Sequence, residues 1–410
     1  MGRTARTRQR LQHRKCNRPL KLDSHQEFIE LKKWMILNGW KPLSCLCPAV
    51  FHTTGRGLMA TSNLVSNQLI IQIPRNLLIT KEKVLAYIPE LIQYQLTSAE
   101  CLTFFLLKSK EDRLYKAYIS TLPSRFSVGE LCGSNEVAIL PVDIQNQIIF
   151  RQHYVFQKYK NFVELWKRIY DSTLALDLFQ WAWYCVNTRA VFYQDTHQFN
   201  SGENNMALAP YLDMFNHSPN VDITAGFNKA SQCYEICSKQ SIKKYEQVFI
   251  NYGAHDNQTL FLEYGFLTNK NMHDVVIFSE KCLLDQLPPE TFFTPKKIEF
   301  FKQLPRNSLF CAPDGFSWNA QLAMTILFSN DSQLLNSHSL FQIIPSKTEK
   351  IMLLGLKIIE VLKEEYRKNV DFANQVLLPT PSFCVAKLLI QGFLTILETC
   401  ASSWIQSCEV

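Results

Sequence analysis

The sequence lacks an apolar run of the roughly 18–20 residues that a membrane-spanning helix requires. The nearest approach, Val385 to Ile405, is interrupted by Lys387, Gln391 and Glu398, so no membrane partner is expected. A secretory leader is also missing, because the charged N-terminus is not followed by an apolar segment. Met1-Gly2 invites myristoylation, but Arg6 stands where that motif needs Ser or Thr. There is no paired C-x-x-C zinc pattern, internal repeat or low-complexity stretch. The thirteen cysteines are an odd number and dispersed, with Cys45/Cys47 and Cys233/Cys237 the closest pairs. They read as reduced, mostly buried small hydrophobes of a nuclear and cytosolic protein. Three N-x-S/T sequons, at Asn216, Asn257 and Asn330, arise readily by chance and are set aside in the absence of a leader.

Acidic residues are absent from positions 1–21, which hold Arg3, Arg6, Arg8, Arg10, Arg14, Lys15, Arg18 and Lys21. Without these eight, the formal charge of +7 on 410 residues becomes −1. Residues 1–21 therefore read as a basic disordered tail that carries any polyanion contact, and the body is neutral. With 47% hydrophobic and 19% charged residues, the body supports two to three domains with real cores.

Ser24 and Glu27 form a capping-box pattern ahead of a helix with Phe28, Leu31 and Met35 on one face and Gly39 as its stop. From Ala49 to Ile79 the pattern is of strands, with Leu69, Ile71 and Ile73 alternating. Helical spacing follows, from the capping box Thr97-x-x-Glu100 through 143–169 and 177–186. Strands are expected over 207–213, 221–227, 233–237 and 247–252, then a short helix from Asn257 to Gly265, a linker over 287–295, and helices at 321–328 and 351–366.

Gly55-Arg56-Gly57-Leu58-Met59-Ala60 satisfies G-x-G-x-x-G/A, but a dinucleotide fold needs a helix directly after it, and the following residues read as turn and strand. A tight turn and a close backbone approach to a ligand both remain open. Asp213-Met214-Phe215-Asn216-His217-Ser218, with His255-Asp256 beyond, offers metal-ligand types, yet Pro210 and Pro219 bracket it as a bend. A structural turn is the alternative. Tyr252-Gly253 and Tyr264-Gly265 place polar-tipped aromatics beside flexible residues, a pattern that core tyrosines share. Arg189 at a helix exit reads as a dipole-favoured cation.

The order of these pieces is more specific than any one of them. Gly-x-Gly, a helical insert, Asn187-Thr188-Arg189-Ala190-Val191, Pro210 to Ser218, Phe249 to Gly253 and Glu263-Tyr264-Gly265-Phe266 together resemble the SET-domain protein methyltransferases, in the branch typified by the Rubisco large-subunit methyltransferase. The resemblance implies an α+β fold. A β-rich, pseudoknotted SET domain over 22–275, with a helical insert at about 80–185, precedes an all-helical substrate-binding domain over 285–410.

It also implies S-adenosyl-L-methionine as cofactor and a protein lysine as acceptor, on a histone or non-histone partner, with no metal and a monomeric enzyme. Carried over motif by motif, Gly55, Arg56, Gly57 and Leu58 contact the cofactor, Arg189 pairs its carboxylate, and Asn216 and His217 hold its amino group and adenine. Tyr264 and Tyr252 are the implied catalytic residues, Tyr252 also touching cofactor, while Asp213 and Arg189 help admit the lysine. A catalytically silent SET-fold binding protein and a protein-histidine methyltransferase are the alternatives. The short apolar end from Pro379 to Val410 departs from the branch's pattern and leaves a packed terminal helix as an open expectation.

Overall fold

A computed structural model describes residues 19–193, 205–288, 291, 294–305, 307–330, 334, 343–346 and 348–408. The expected basic tail lies outside the described residues as far as Arg18, and its end is corrected: Leu20–Lys21 is strand β1, paired with Val50 and Ala49. The chain divides into two compact units, Met1–Phe126 with Val155–Ala254, and Ser127–Tyr154 with His255–Val410. This differs from the expected boundaries, because residues 127–154 group with the C-terminal unit, where the Gly129–Leu131 turn packs on the Asn257–Tyr264 helix.

In the first unit, β1, β2 (Leu46–Phe51) and β3 (Gly55–Ala60) form an antiparallel series. Gly55, at φ +69°, closes the β2–β3 turn in a conformation open to glycine. Because Arg56 and Gly57 already lie within β3, no helix follows the glycines, and the dinucleotide reading ends there. Strand β4 (Gln68–Pro74) carries the expected Leu69/Ile71/Ile73 pattern with one correction. A bulge between Leu69 and Ile71 puts Ile70 and Ile71 both in the core. It pairs with β9 (Cys233–Ser238), which pairs with β8 (Ile223–Asn228).

The short β5 (Val191–Phe192) and β6 (Met206–Ala207) pair with each other. The strand expected over 207–213 stops at Ala207, since Pro210 and the left-handed Tyr211 (φ +69°) turn the chain into a 3-10 helix at Leu212–Met214. Strand β10 (Gln247–Ile250) lies antiparallel to β3 on one side and parallel to β7 (Asn216–His217) on the other. The late strand is thus inserted between two earlier ones, with the segment after β10 emerging beside Asn216 and His217. This is the crossing that the pseudoknot expectation described.

The helices of this unit follow their apolar spacing. Gln26–Leu37 buries Phe28, Leu31 and Met35 and ends at Gly39 (φ +91°). Its capping box is corrected, because His25, not Ser24, occupies the cap and gives no side-chain bond. The Thr97/Glu100 box is present and opens Ser98–Ser109, a helix buried nearly all round. That helix packs on Leu176–Arg189, and Lys158 Nζ reaches Glu100 at 2.7 Å.

The second unit is helical, with a small three-stranded sheet that the all-helical expectation did not contain: β11 (Val276–Ile277), β12 (Phe310–Ala312) and β13 (Gly315–Phe316). Pro295, expected in a linker, opens the Pro295–Phe301 helix instead, capped by Thr294. Glu349–Asn374 and Pro381–Cys408 are its long helices and pack along each other. Pro381–Ser407 is long and apolar enough to cross a membrane by length and composition, against the sequence expectation. Here its Phe383, Ala386, Ile390, Phe393, Leu397 and Trp404 are core residues, so the atypical terminal segment is a packed helix. Eleven cysteines, Cys45 to Cys400, are free, and seven of them are buried.

Candidate active site

The hairpin β2–β3 sets the first edge of the site. Asn216, on β7, points its amide back at the hairpin and donates to Arg56 O at 2.9 Å and Thr54 O at 3.3 Å. Gln247, on β10, accepts from Thr54 Oγ1 at 2.6 Å. A Cβ on Gly57 would meet Gln247 Nε2 at 2.6 Å and Asn216 Nδ2 at 3.0 Å. Gly57 therefore makes room for two side-chain amides where β3, β10 and β7 meet. Asn216 is thus committed to the protein through its side chain, and β7, as the last strand of its sheet, has one backbone edge away from β10.

A charged cluster adjoins this junction. Arg189, the last residue of the Leu176–Arg189 helix, donates NH1 to Asp213 O at 2.7 Å. Its Nε is buried with no partner among the described residues, as is Gln247 Nε2. The Asp213 carboxylate accepts from the fully buried Tyr118 hydroxyl at 2.9 Å. Burial pushes the Asp213 carboxyl above its usual range, with Arg189, Tyr118 and Arg56 opposing. Burial also lowers the Arg56 guanidinium, and Arg189 adds to that as a like charge. Two arginines therefore share one neighbourhood, and Arg56 NH1 is fixed on Thr121 O at 3.1 Å.

His217 and Tyr252 complete the group. Tyr252 N donates to His217 Nδ1 at 3.0 Å, and the rings lie 5.1 Å apart. The Tyr252 hydroxyl donates to Phe215 O at 2.6 Å, so the loop after β10 is clamped onto the segment leading into β7. The structure brings Gly55, Arg56, Gly57, Leu58, Arg189, Asp213, Asn216, His217 and Tyr252 into the first unit's central sheet and its margin.

Tyr264 belongs to the second unit. It ends the Asn257–Tyr264 helix, whose cap is Asp256 and whose stop is the left-handed Gly265 (φ +77°). Its ring lies 6.0 Å from His255 and 6.1 Å from Phe266. Burial, then the charge of Glu263, pushes its hydroxyl up to about 12, so it stays protonated at neutral pH. Tyr118 and Gln247 were not singled out from sequence. Tyr118 lies 95 residues from Asp213 in an ordinary amphipathic stretch, and no local signal marks it.

Residues 55–253 match the SET domain family. Human SET domain-containing protein 4 is 34% identical over 344 residues, 80% of this chain and 78% of that one. The chain belongs to the SET methyltransferase family. A ribosomal lysine N-methyltransferase of Schizosaccharomyces pombe is 31% identical over 54% of this chain and 56% of its own. The human actin-histidine N-methyltransferase is 28% identical over 61% and 44% respectively. The solved SET domain of LSMT bound to lysine and AdoHcy superposes with a TM-score of 0.65 at 19% identity, covering 93% of this chain and 91% of that one. In this family member the Asp213–His217 segment is a bend whose carboxylate is taken by Tyr118. Among the described residues no group of three or more His, Cys, Asp or Glu is placed to hold a metal.

Proposed function

We propose that the chain transfers a methyl group from S-adenosylmethionine to the ε-amine of a lysine in a histone or non-histone protein, as a monomer of the nucleus and cytosol. The observation that carries this reading is Arg189. Its guanidinium is anchored on Asp213 O while its Nε stays buried and unpartnered, with Arg56 beside it. Two arginines share the single buried carboxylate of Asp213 there, and such a donor beside that excess of positive charge fits a further carboxylate, as the methionine end of the cofactor supplies. When bound, that cofactor provides a methyl group activated on a sulfonium cation.

The chain's own residues would do the rest. The stretch of β3 ahead of Leu58 that β10 does not pair and the open edge of Asn216–His217 offer backbone groups to the ligand. The Tyr252 clamp holds that edge in place through Phe215 and His217. A free lysine is neutral only about once in ~2,500 molecules at pH 7, a deficit of about 4.6 kcal/mol. Dry aromatic walls favour the neutral amine, because burial lowers a lysine pKa. A Tyr264 hydroxyl that stays protonated orients the amine without supplying an anion that would favour the ammonium.

A histidine acceptor is the second reading, favoured by the likeness to the actin-histidine N-methyltransferase. Labelled S-adenosylmethionine, offered with nuclear and cytosolic extracts and followed by mapping of the modified side chain, decides between them. Label on lysine supports the proposal and label on histidine the alternative. No transfer from a chain that still binds cofactor identifies a silent binding protein.

A further inference from the structure

Glu263 precedes Tyr264 on the Asn257–Tyr264 helix and puts a carboxylate one residue from the tyrosine read above as facing the acceptor amine. Its charge reaches that tyrosine, because it adds to burial in pushing the Tyr264 hydroxyl up. An anion there opposes methyl transfer, since it favours the ammonium form of a nearby lysine and only the neutral amine attacks a methyl group. The second unit answers this carboxylate with Arg151, on the Val142–Tyr170 helix, whose NH2 lies 2.9 Å from Glu263 Oε1. His255, whose ring lies 6.0 Å from that of Tyr264, is neutral or cationic and adds no anion.

Arg151 also holds the turn packed against that helix end. Its NH1 lies 3.4 Å from Glu130 Oε1, and the neighbouring Gln152 donates Nε2 to Glu130 O at 3.1 Å. Turn and helix approach closely: a Cβ on Gly129 would meet Leu262 Cδ2 at 2.8 Å, and one on Gly265 would meet Ser127 C at 2.4 Å. Leu262 and Gly265 bracket Glu263 and Tyr264, so the turn is fitted to the stretch that carries both residues. The two carboxylates differ in setting. The Glu130 side chain is 10% exposed, and burial raises its carboxyl above the usual range against its own amide and the charge of Arg151. The Glu263 side chain is 38% exposed. An ion pair so exposed contributes little to stability, so its consequence lies in the charge it cancels.

We propose that Arg151 is a positioning residue for methyl transfer: by pairing with both Glu130 and Glu263 it fixes the helix end that carries Tyr264 and cancels the carboxylate adjoining that tyrosine. The arginine acts through Glu263 rather than on the reacting atoms. Without it, an uncompensated Glu263 that raises the acceptor amine by about one pKa unit leaves about tenfold less neutral amine at neutral pH. The inference rests on the reading of Tyr264 as the residue at the lysine amine. No local pattern announces it, since Arg151 lies 21 residues from Glu130 and 112 from Glu263.

The test loads the full chain and its variants with labelled S-adenosylmethionine, mixes them with nuclear and cytosolic extract, and follows the label recovered as methyl-lysine in a single turnover. Arg151→Met is expected to slow transfer about tenfold with cofactor affinity by calorimetry unchanged, and Arg151→Lys, which keeps the charge, to stay within about threefold of the parent. Adding Glu263→Gln to Arg151→Met is expected to restore the rate, whereas adding Glu130→Gln restores only the melting temperature. Where Arg151→Met melts early, the comparison is made in the Glu130→Gln background, which removes the buried carboxylate that loss of the arginine strands. Equal slowing by Arg151→Lys, or recovery of the rate through Glu130→Gln and not through Glu263→Gln, overturns the proposal. A parent chain that labels no lysine overturns the reading of the site and the inference with it; a parent that labels lysine beside an Arg151→Met variant that matches its rate overturns the inference alone.

Discussion

Gly57 and Gly355 stand one in each unit and show two ways of using a missing side chain. At Gly57 the space goes to the polar ends of Gln247 and Asn216, 2.6 and 3.0 Å from where a Cβ would sit. At Gly355 it goes to ring atoms: Trp404 Nε1 at 2.5 Å and Phe316 Cε2 at 2.9 Å. The first unit spends its junction on hydrogen bonds that hold strands far apart in sequence, whereas the second packs rings against a long helix. Polar junctions tolerate small shifts because flexible side-chain ends can move; ring-packed cores do not.

That contrast is broken or sharpened most strongly by Gly355→Ala. The Trp404 ring, held by its bond to Met352 O and packed 5.0 Å from Phe316, has nowhere to go. A loss of about 1–3 kcal/mol, typical of overpacking, is expected in denaturant unfolding. A variant as stable as the parent would show that this core yields as easily as the polar junction.

Glu100→Gln comes next, at about 1 kcal/mol near neutral pH, since it keeps a capping acceptor but loses the charge that Lys158 meets. Burial pushes the Glu100 carboxyl up, but Lys158 and the Thr97 backbone and hydroxyl outweigh it and hold the group below its usual value. A depressed folded-state value means that the stabilisation is complete above the unfolded value, about 4.3, and is lost as pH falls through the folded one. The gap between parent and variant should therefore be full at pH 7 and close in acid; a gap that widens in acid would contradict the assignment. Gly57→Ala is expected to cost the least, about 0.5–1 kcal/mol for the Asn216 bonds it disturbs, while weakening S-adenosylmethionine binding in calorimetry by displacing the Asn216 amide.

How much of this was legible in the sequence follows the same division. Periodicity exposed the helices, because Phe28/Leu31/Met35 and the Thr97–Glu100 box are local facts. It misplaced what tertiary packing decides: the bulge at Leu69/Ile71, the end of β6 before Pro210, and the β12–β13 sheet amid helices. Short motifs in order gave the family, and the structure gathered Gly57, Arg189, Asp213, Asn216, His217 and Tyr252 into one unit. Tyr118 and Gln247 were invisible, since their roles depend on partners 95 and 193 residues away. One expectation is also sharpened. Tyr252 was matched to the transferring methyl, but its hydroxyl is given to Phe215 O, so its loss is expected to act on cofactor affinity more than on transfer.

The central claim is that a protonated tyrosine hydroxyl assists methyl transfer in this chain, and single-turnover transfer from labelled S-adenosylmethionine by Tyr264→Phe tests it most directly. The ring remains and only the hydroxyl goes, so cofactor affinity measured by calorimetry should stay within a few-fold of the parent. Removal of an aimed polar group from a dry site costs about 2.7–4 kcal/mol, or roughly 10²–10³ in rate. A transfer step slowed to that extent with binding preserved is the predicted result. Transfer at the parent's rate would contradict the account and return Tyr264 to the core.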